Sequence, residues 1–314
     1  MDTREQLLAL NEELRRRKAE GVRSISVTDE SLVRLRAGVT AQRTLGPMPA
    51  PAVVELAETP AVYTPRATPQ RVSAAPVFSL GPIPAEAPVV LLPEGDKQTR
   101  WHALQTLVLN HPVCLQHVRP GKKVVLGVGS LGADIFFCGE APGAEEEVEG
   151  EPFVGPAGQL LTRMIQGMGL KREQVYIGNI MNWRPEMETG SDNVQVGNRP
   201  PTPEELRFCL PFLRAQLDIV QPRLIVALGK TAAEGLLGAG SFRALGDVRS
   251  RWHQFGGVPL MVTYHPSYIL RSQSQNSKRQ IWEDLLKVME RAGLDRLQLH
   301  DEIIVGRLSC VEIE

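Results

Sequence analysis

The chain has 314 residues, of which 42% are hydrophobic, and its formal net charge is -1. That length suffices for one domain of about 200 residues plus appendages. The near-neutral charge argues against broad electrostatic binding to nucleic acid, but it is compatible with a local basic lip around a cleft. The four cysteines form no C-x-x-C pair, which argues against a zinc knuckle or a redox motif. A charged N-terminus and the lack of an apolar run of about 20 residues predict an intracellular, cytoplasmic protein with no membrane partner.

The first 95 residues differ in composition from the rest of the chain. Leucines separated by charged residues predict a helix over residues 3–20, which is either a small solvated helix or a docking helix for a partner protein. Residues 44–96 are rich in Pro, Ala, Val and Thr without a sustained period, so we expect a disordered or extended linker.

From residue 96 onward, patterns typical of strands and helices alternate. The pattern predicts a helix over 97–110, strands at 133–138, 174–179, 223–229 and 259–264, and helices at 157–168, 203–220, 230–237 and 278–292. Such alternation with short connections predicts a parallel sheet with helices on both faces. We therefore expect a domain over 96–294, preceded by the arm at 1–95. The tail at 295–314 contains a β-like stretch, Glu302 to Val305, that the pattern does not place.

A loop with two glycines follows the first predicted strand. It reads Gly139-Glu140-Ala141-Pro142-Gly143 and is followed by three glutamates, Glu145 to Glu147. Ligands of open α/β sheets bind beyond the carboxyl ends of the strands, where this loop would lie. The glutamates are therefore candidate site residues, and the alternative is an ordinary solvated run of charge.

Phe153 and Asn179 also fall next to predicted strand and helix ends. Phe153 lies in a loop with Gly155 and Gly158, so its ring could stack on a planar base, whereas the alternative is packing in the core. Asn179 ends a predicted strand, and its amide offers one donor and one acceptor that match N3–H and O4 of uracil. The alternative is that Asn179 caps a turn through its own backbone.

A third segment, His265-Pro266-Ser267, follows the last predicted strand. A histidine in this position is well placed for catalysis, or is a satisfied core histidine. Ser267 could bond a phosphate. Tyr268 to Arg271 would form a loop whose apolar tip, including Leu270, wedges into a base stack beside the Arg271 cation.

Taken together, these motifs resemble the uracil-DNA glycosylase superfamily, and in particular its family 4. The resemblance covers roughly residues 100–292. The matching segments, in order, are Gly139–Gly143, Gly150–Leu161, Val175–Asn179, Asn198–Glu205, Val226–Gly229 and His265–Arg271. The resemblance implies a three-layer α/β/α fold around a central four-stranded, mainly parallel sheet.

The resemblance also implies roles for the site residues. Glu140 and Gly143 would line a uracil pocket, Glu146 would place the attacking water, and Phe153 would stack on the flipped base. Asn179 would read the Watson–Crick edge of the base, and His265 would stabilise negative charge on O2 of the leaving uracil. Ser267, Tyr268, Leu270 and Arg271 would contact DNA.

Members of family 4 usually carry an iron–sulfur cluster held by four cysteines, and the chain departs from the family at these ligand positions. Cys114 and Cys209 match two of the four cysteine ligands, whereas Trp183 stands at a third position and His111 near the first. Two thiols and one histidine do not make the usual set of four ligands. We therefore predict that the chain has no cofactor and holds neither an iron–sulfur cluster nor another metal. A second departure is an insertion over Glu186 to Gly197.

The function expected from this resemblance is hydrolysis of the N-glycosidic bond of uracil in single- or double-stranded DNA, which starts base excision repair. The alternatives are a glycosylase for another deaminated base and a non-catalytic DNA-binding or scaffold member of the fold. We expect a monomer, with the N-terminal arm as a candidate binding segment for a partner protein.

Overall fold

The computed structural model describes residues 81–187, 195–272 and 274–294. All of the described residues belong to one compact unit of the chain. The predicted helix at 3–20, residues 44–80 of the predicted linker and the stretch Glu302 to Val305 lie outside them. No helix in the described ranges is long and apolar enough to cross a membrane.

A six-stranded sheet forms the centre of this unit, with strand order β1-β3-β2-β4-β6-β5. The strands are β1 (Val128–Gly129), β2 (Ile135–Gly139), β3 (Tyr176–Asn179), β4 (Leu224–Leu228), β5 (Trp252–Phe255) and β6 (Val258–Thr263). The four central strands pair in parallel and are the four predicted from the sequence. The two edge strands, β1 and β5, pair antiparallel and were not predicted.

Helices cover the sheet. They are α1 (Lys97–Leu109), α2 (Pro112–Gln116), α3 (Glu146–Glu149), α4 (Pro156–Gly167), α5 (Pro203–Val220), α6 (Lys230–Leu237), α7 (Leu245–Val248), α8 (Pro266–Ser272) and α9 (Gln275–Ala292). The start of α5 follows its sequence signals. Thr202 accepts a hydrogen bond from the backbone N–H of Glu205, whose carboxylate accepts one from the Thr202 N–H in return.

The central strands alternate their side chains between two core clusters, as the period of a strand requires. Ile135 and Phe137 of β2 pack in one cluster, whereas Phe136 and Cys138 pack in the other. Helices α4 and α9 contribute to the first cluster, and α5 and α6 to the second. This gives three layers, α/β/α, and confirms the expected fold class.

A third cluster lies between α1, α2 and α5 and includes Cys114, Trp183 and Cys209. Residues 81–92 have no helix or strand, yet Val90 and Leu92 are partly buried against this cluster. The intervening Leu91 is 81% exposed, so the segment presents alternate side chains to the core.

The segment after His265 is helical, which corrects the expectation of a loop at Tyr268 to Arg271. Pro266 is the first residue of α8, where its missing N–H costs no intrahelical bond and its fixed φ suits the helix. Ile269 is buried in the first core cluster, and Leu270 packs against it. Ile269 and Leu270 therefore face the core, whereas Tyr268 is exposed.

Candidate functional site

The carboxyl ends of three parallel strands bring the predicted site residues together. Gly139, the last residue of β2, lies opposite Asn179, the last residue of β3. His265 follows the end of β6 by two residues. These ends meet at one edge of the sheet, where open α/β folds bind their ligands.

A cavity of about 310 Å³ opens at this edge. Phe153, Asn179 and His265 all line it, together with Gly143 and Glu146. With Ser267 and Arg271, which also line it, seven of the predicted site residues meet at one cavity of small-molecule size. The three loops named in the sequence converge there.

The ring of Phe153 is held at this cavity by an uncommon backbone conformation. Phe153 has φ = 55°, in the left-handed region, which typically costs a non-glycine residue about 1–2 kcal/mol. Gly158 allows this conformation, because a Cβ there would clash with the Phe153 carbonyl. The ring stacks on the His265 imidazole, with centroids 5.6 Å apart and planes at 28°. Phe153 is also buried in the first core cluster, so its ring both packs in the core and forms part of the cavity wall.

Asn179 is 5% exposed, and its side-chain Oδ1 accepts no hydrogen bond from the described residues. A buried acceptor without a partner costs about 1–3 kcal/mol. Gly139 makes room for this amide, because a Cβ at position 139 would clash with Asn179 Oδ1 and come within 2.5 Å of the Phe153 ring. This oxygen caps no turn, and a donor on a ligand in the cavity that Asn179 lines would supply its missing partner.

Glu146 ties two loops of the site together. One carboxylate oxygen accepts the N–H of Gly143 at 2.9 Å, and the other accepts the N–H groups of Val154 and Gly155, each at 3.1 Å. A carboxylate has about four lone-pair positions, so one remains for a water molecule. Glu146 and Glu147 are buried, which excludes the solvated-run alternative for both.

The hydrogen bonds of His265 define which ring nitrogen carries its proton. Nδ1 accepts the backbone N–H of Ser267 at 3.1 Å and lies 2.8 Å from Ser267 Oγ. Because Nδ1 acts as an acceptor, the network assigns the proton of the neutral ring to Nε2. Burial, and then the nearby Arg271 cation, lower the pKa of His265 from 6.5 to about 4. At neutral pH the ring is therefore an uncharged Nε2–H donor.

This depressed pKa predicts an acid-dependent loss of stability. As pH falls below 6.5, the unfolded imidazole takes up a proton that the folded one accepts only near pH 4. The stabilising contribution is therefore present above pH 6.5 and is lost toward pH 4. Between pH 7 and about pH 4.5, we expect wild type to lose about 2 kcal/mol more unfolding free energy than His265→Asn. Urea unfolding at the two pH values measures this, and equal losses in both proteins would contradict the shifted pKa.

A second cavity, of about 540 Å³, adjoins the first. Glu140, Tyr268 and Arg271 line it, and Ser267 and Arg271 line both cavities. Burial raises the pKa of Glu140, while its hydrogen bond to Thr231 opposes that shift. Glu140 thus faces the larger cavity. Leu270 lines neither cavity, so among the residues proposed to contact DNA it is the one that the structure does not bring to the site.

Asn198 lines both cavities, and sequence reasoning gave it no role. Arg184 positions it, donating from Nε to Asn198 Oδ1 at 2.8 Å and from Nη2 to the Gly197 carbonyl at 2.8 Å. Arg184 is itself buried and paired with Glu147 at 2.8 Å. The motif beginning at Asn198 was visible in the sequence, but its contact with the site depends on the path of the preceding insertion.

The fold and this convergence define an α/β protein with a cavity of small-molecule size at the carboxyl edge of its sheet. A model of the Uracil DNA glycosylase superfamily matches residues 126–286. This match covers half of the chain, and the chain belongs to that superfamily.

Curated relatives narrow the likeness within the superfamily. The chain is 42% identical to a Type-4 uracil-DNA glycosylase of Thermotoga maritima over 167 residues, which are 52% of this chain and 80% of the relative. It is 38% identical to one of Pyrobaculum aerophilum over 199 residues, 62% of this chain and 94% of the relative. For one of Archaeoglobus fulgidus the identity is 36%, over 56% of this chain and 86% of the relative. The expected resemblance to family 4 is confirmed.

The comparison also corrects one prediction. We predicted that the chain has no cofactor because only Cys114 and Cys209 match the four cysteine ligand positions of the family. Type-4 relatives are iron–sulfur enzymes, and this chain is 36–42% identical to three of them. By this comparison the prediction of no cofactor is wrong. It relied on the missing ligand residues of this sequence and gave too little weight to its similarity to the family.

The residues present nevertheless do not form the four-cysteine set. Cys114 and Cys209 are buried in the third cluster, and burial raises the pKa of the Cys114 thiol to about 12. Trp183 packs in the same cluster and stacks on His117 at 5.1 Å. Nδ1 of His111 accepts the Val113 N–H. Among the described residues, no three His, Cys, Asp or Glu side chains converge as a metal site.

Proposed function

We propose that this chain is a DNA glycosylase that hydrolyses the N-glycosidic bond of uracil in DNA and so starts base excision repair. The observation that carries the proposal is the convergence of Phe153, Asn179 and His265 on one cavity. Membership of the superfamily and the likeness to relatives named Type-4 uracil-DNA glycosylase support it. The substrate is DNA that contains uracil, and the target nucleotide leaves the base stack before reaction.

Recognition of the base follows from two side chains. The ring of Phe153 stacks on the flipped base, a contact worth about 1–3 kcal/mol. The free Oδ1 of Asn179 accepts from N3–H of uracil, while the amide N–H donates to O4. Cytosine presents the opposite pattern of donor and acceptor and leaves the buried amide unpaired. Selectivity for uracil therefore comes from an amide whose partner is missing in the free protein.

Bond cleavage depends on charge that develops in the transition state. As the bond between C1′ and N1 breaks, its electron pair moves into the uracil ring and positive charge develops on the sugar. The Nε2–H of His265 donates to O2, where negative charge grows. Water adds to C1′ and releases its proton to solvent. The Glu146 carboxylate lines the same cavity but already accepts three backbone N–H groups, so it orients the water without taking its proton, and stabilisation of the leaving group carries the reaction.

Glu146 acts mainly through position in this scheme. Its carboxylate fixes the loop that carries Phe153 and leaves one lone pair to orient a water. Burial raises the pKa of Glu140, which lies with Arg271 beside the larger cavity, on the path of the DNA strand. Ser267 holds His265 and shares its hydroxyl with Arg271 at 3.2 Å.

We also propose that residues 96–294 act as the glycosylase domain, as a monomer and in the cytoplasm. The arm at 1–95 is then a candidate segment for a partner protein, and 295–314 is a tail. The packing of Val90 and Leu92 on the third cluster attaches the end of the arm to this domain.

A cleavage assay tests the function. A labelled strand with one deoxyuridine is incubated with the protein and heated in alkali, which breaks the chain at an abasic site. We expect a cut at uracil and none at cytosine. Cutting only at hypoxanthine or xanthine would show a glycosylase for another deaminated base. Binding of all strands with no cut would overturn catalysis and favour a scaffold role.

A further inference from the structure

Two stacked tyrosines form part of the wall of the larger cavity. Tyr264 follows β6 and Tyr268 lies in α8, and their ring centroids are 4.8 Å apart with planes at 19°. Both rings line the cavity, and Tyr268 is 39% exposed. The excision chemistry described above uses neither ring. An exposed aromatic ring stacked on a second one is a surface on which a further flat group can stack.

This pair is braced from inside the protein. The guanidinium of Arg249 lies 5.0 Å from the centroid of the Tyr264 ring. Arg249 in turn donates to Asp284 at 2.8 Å, and this fully buried carboxylate also accepts the hydroxyl of Thr263 at 2.7 Å. Because the buried carboxylate of Asp284 fixes Arg249, the cation–π contact with Arg249 holds the Tyr264 ring in place. The tyrosine stack is therefore a fixed surface of the cavity.

Positive charge lies beside the stack. Lys230 and Arg271 line the same cavity, and the His265 ring reaches it as well. Aromatic rings next to cations that can hold a backbone are the usual construction of sites for single-stranded nucleic acid. Because the stack adjoins His265, the group in reach of Tyr268 is the nucleotide next to the one that is flipped.

Building on the uracil excision proposed above, we propose that Tyr268, stacked on Tyr264, is the platform for the nucleobase adjacent to the flipped uracil. The substrate class that follows is DNA that is single-stranded or locally unpaired around the uracil. A base inside a duplex is already stacked on both neighbours and gains nothing from the platform until it is released. An unpaired base gains a stacking partner at once.

Removing the neighbouring base tests the platform. Three single strands are compared, one with both neighbours of the uracil present and two in which the 5′ or the 3′ neighbour is replaced by an abasic residue. For wild type, kcat/KM is expected to fall by about 5- to 150-fold when one particular neighbour is missing. In Tyr268→Ala, kcat/KM is already low on the complete strand and changes less than about 2-fold, since the contact no longer exists. Tyr268→Phe keeps the ring and keeps the sensitivity to the missing base.

A second measurement separates this proposal from the proposed function. Binding is measured by fluorescence anisotropy with 2′-fluorodeoxyuridine strands, whose glycosidic bond resists cleavage because fluorine destabilises positive charge on the sugar. The same pattern of losses in affinity supports the platform even if no strand is cut. Normal uracil excision, with Tyr268→Ala as sensitive to the missing neighbour as wild type, overturns the platform and leaves the function standing. Tyr268→Leu, with thermal unfolding as a check, replaces Tyr268→Ala if that variant does not fold.

Discussion

Replacing His265 by alanine is expected to lower kcat for uracil excision by about 10²–10³-fold and to leave KM nearly unchanged. In the proposed mechanism, the imidazole donates from Nε2 to an oxygen whose negative charge develops only as the glycosidic bond breaks. A donor of this kind stabilises the transition state far more than the bound substrate. Of the two imidazole nitrogens, the hydrogen bonds of Ser267 reach Nδ1 and not Nε2, so its hydroxyl does not replace the lost donor.

The measurement is single-turnover cleavage of a deoxyuridine strand at several protein concentrations. His102→Ala is a matched control, because His102 is exposed on α1, away from the residues of either cavity. A rise in KM with an unchanged kcat for His265→Ala would show that the imidazole only binds the base. An equal loss in both variants would point to a general effect of removing a histidine.

The Asn179→Asp variant is expected to lose about 10²-fold or more in kcat/KM on uracil and to gain cleavage of cytosine. An ionised carboxylate accepts from the cytosine amino group but has no donor for O4 of uracil. The amide is 5% exposed and its Oδ1 has no partner in the described residues, so the substitution breaks no hydrogen bond of that oxygen within this part of the protein. Discrimination against cytosine should therefore fall by about the same factor.

The Asn179→Ala variant is the control that distinguishes a changed base preference from a general loss of binding. It removes both hydrogen bonds, so it should lose uracil activity without gaining activity on cytosine. Rates on matched uracil and cytosine strands give the ratio for each variant. If Asn179→Asp keeps the selectivity of wild type, the side chain at 179 does not read the base and another group on the cavity does.

The central strands and the long helices could be predicted because local patterns in the sequence are sufficient to identify them. β2 and β4 are continuous apolar runs, and α5 has a capping box and a proline at its first position. The edge strands escaped prediction because β1 has two residues and β5 is half-exposed. The helix at Pro266 escaped because a polar start, Pro266-Ser267, looks the same before a loop and before a helix turn.

The site was predictable as a set of residue types and less so as a set of contacts. The sequence places Phe153, Asn179 and His265 at strand ends or in loops, but a periodicity does not show which atoms meet. The three backbone N–H groups at Glu146 belong to two loops, so they depend on the tertiary path. The proton position on His265 likewise depends on the turn that brings the Ser267 N–H to Nδ1. The cofactor prediction failed for a related reason, since it was drawn from single residues alone.

The carboxylate of Glu146 also determines at which stage the two loops of the pocket lose their conformational entropy. This carboxylate accepts hydrogen bonds both from Gly143 and from the loop that carries Phe153. The two loops therefore cannot become disordered independently. Their conformational entropy is lost during folding, before any DNA arrives. In the proposed reaction, the everted nucleotide therefore enters a cavity whose two loops are already joined by these hydrogen bonds.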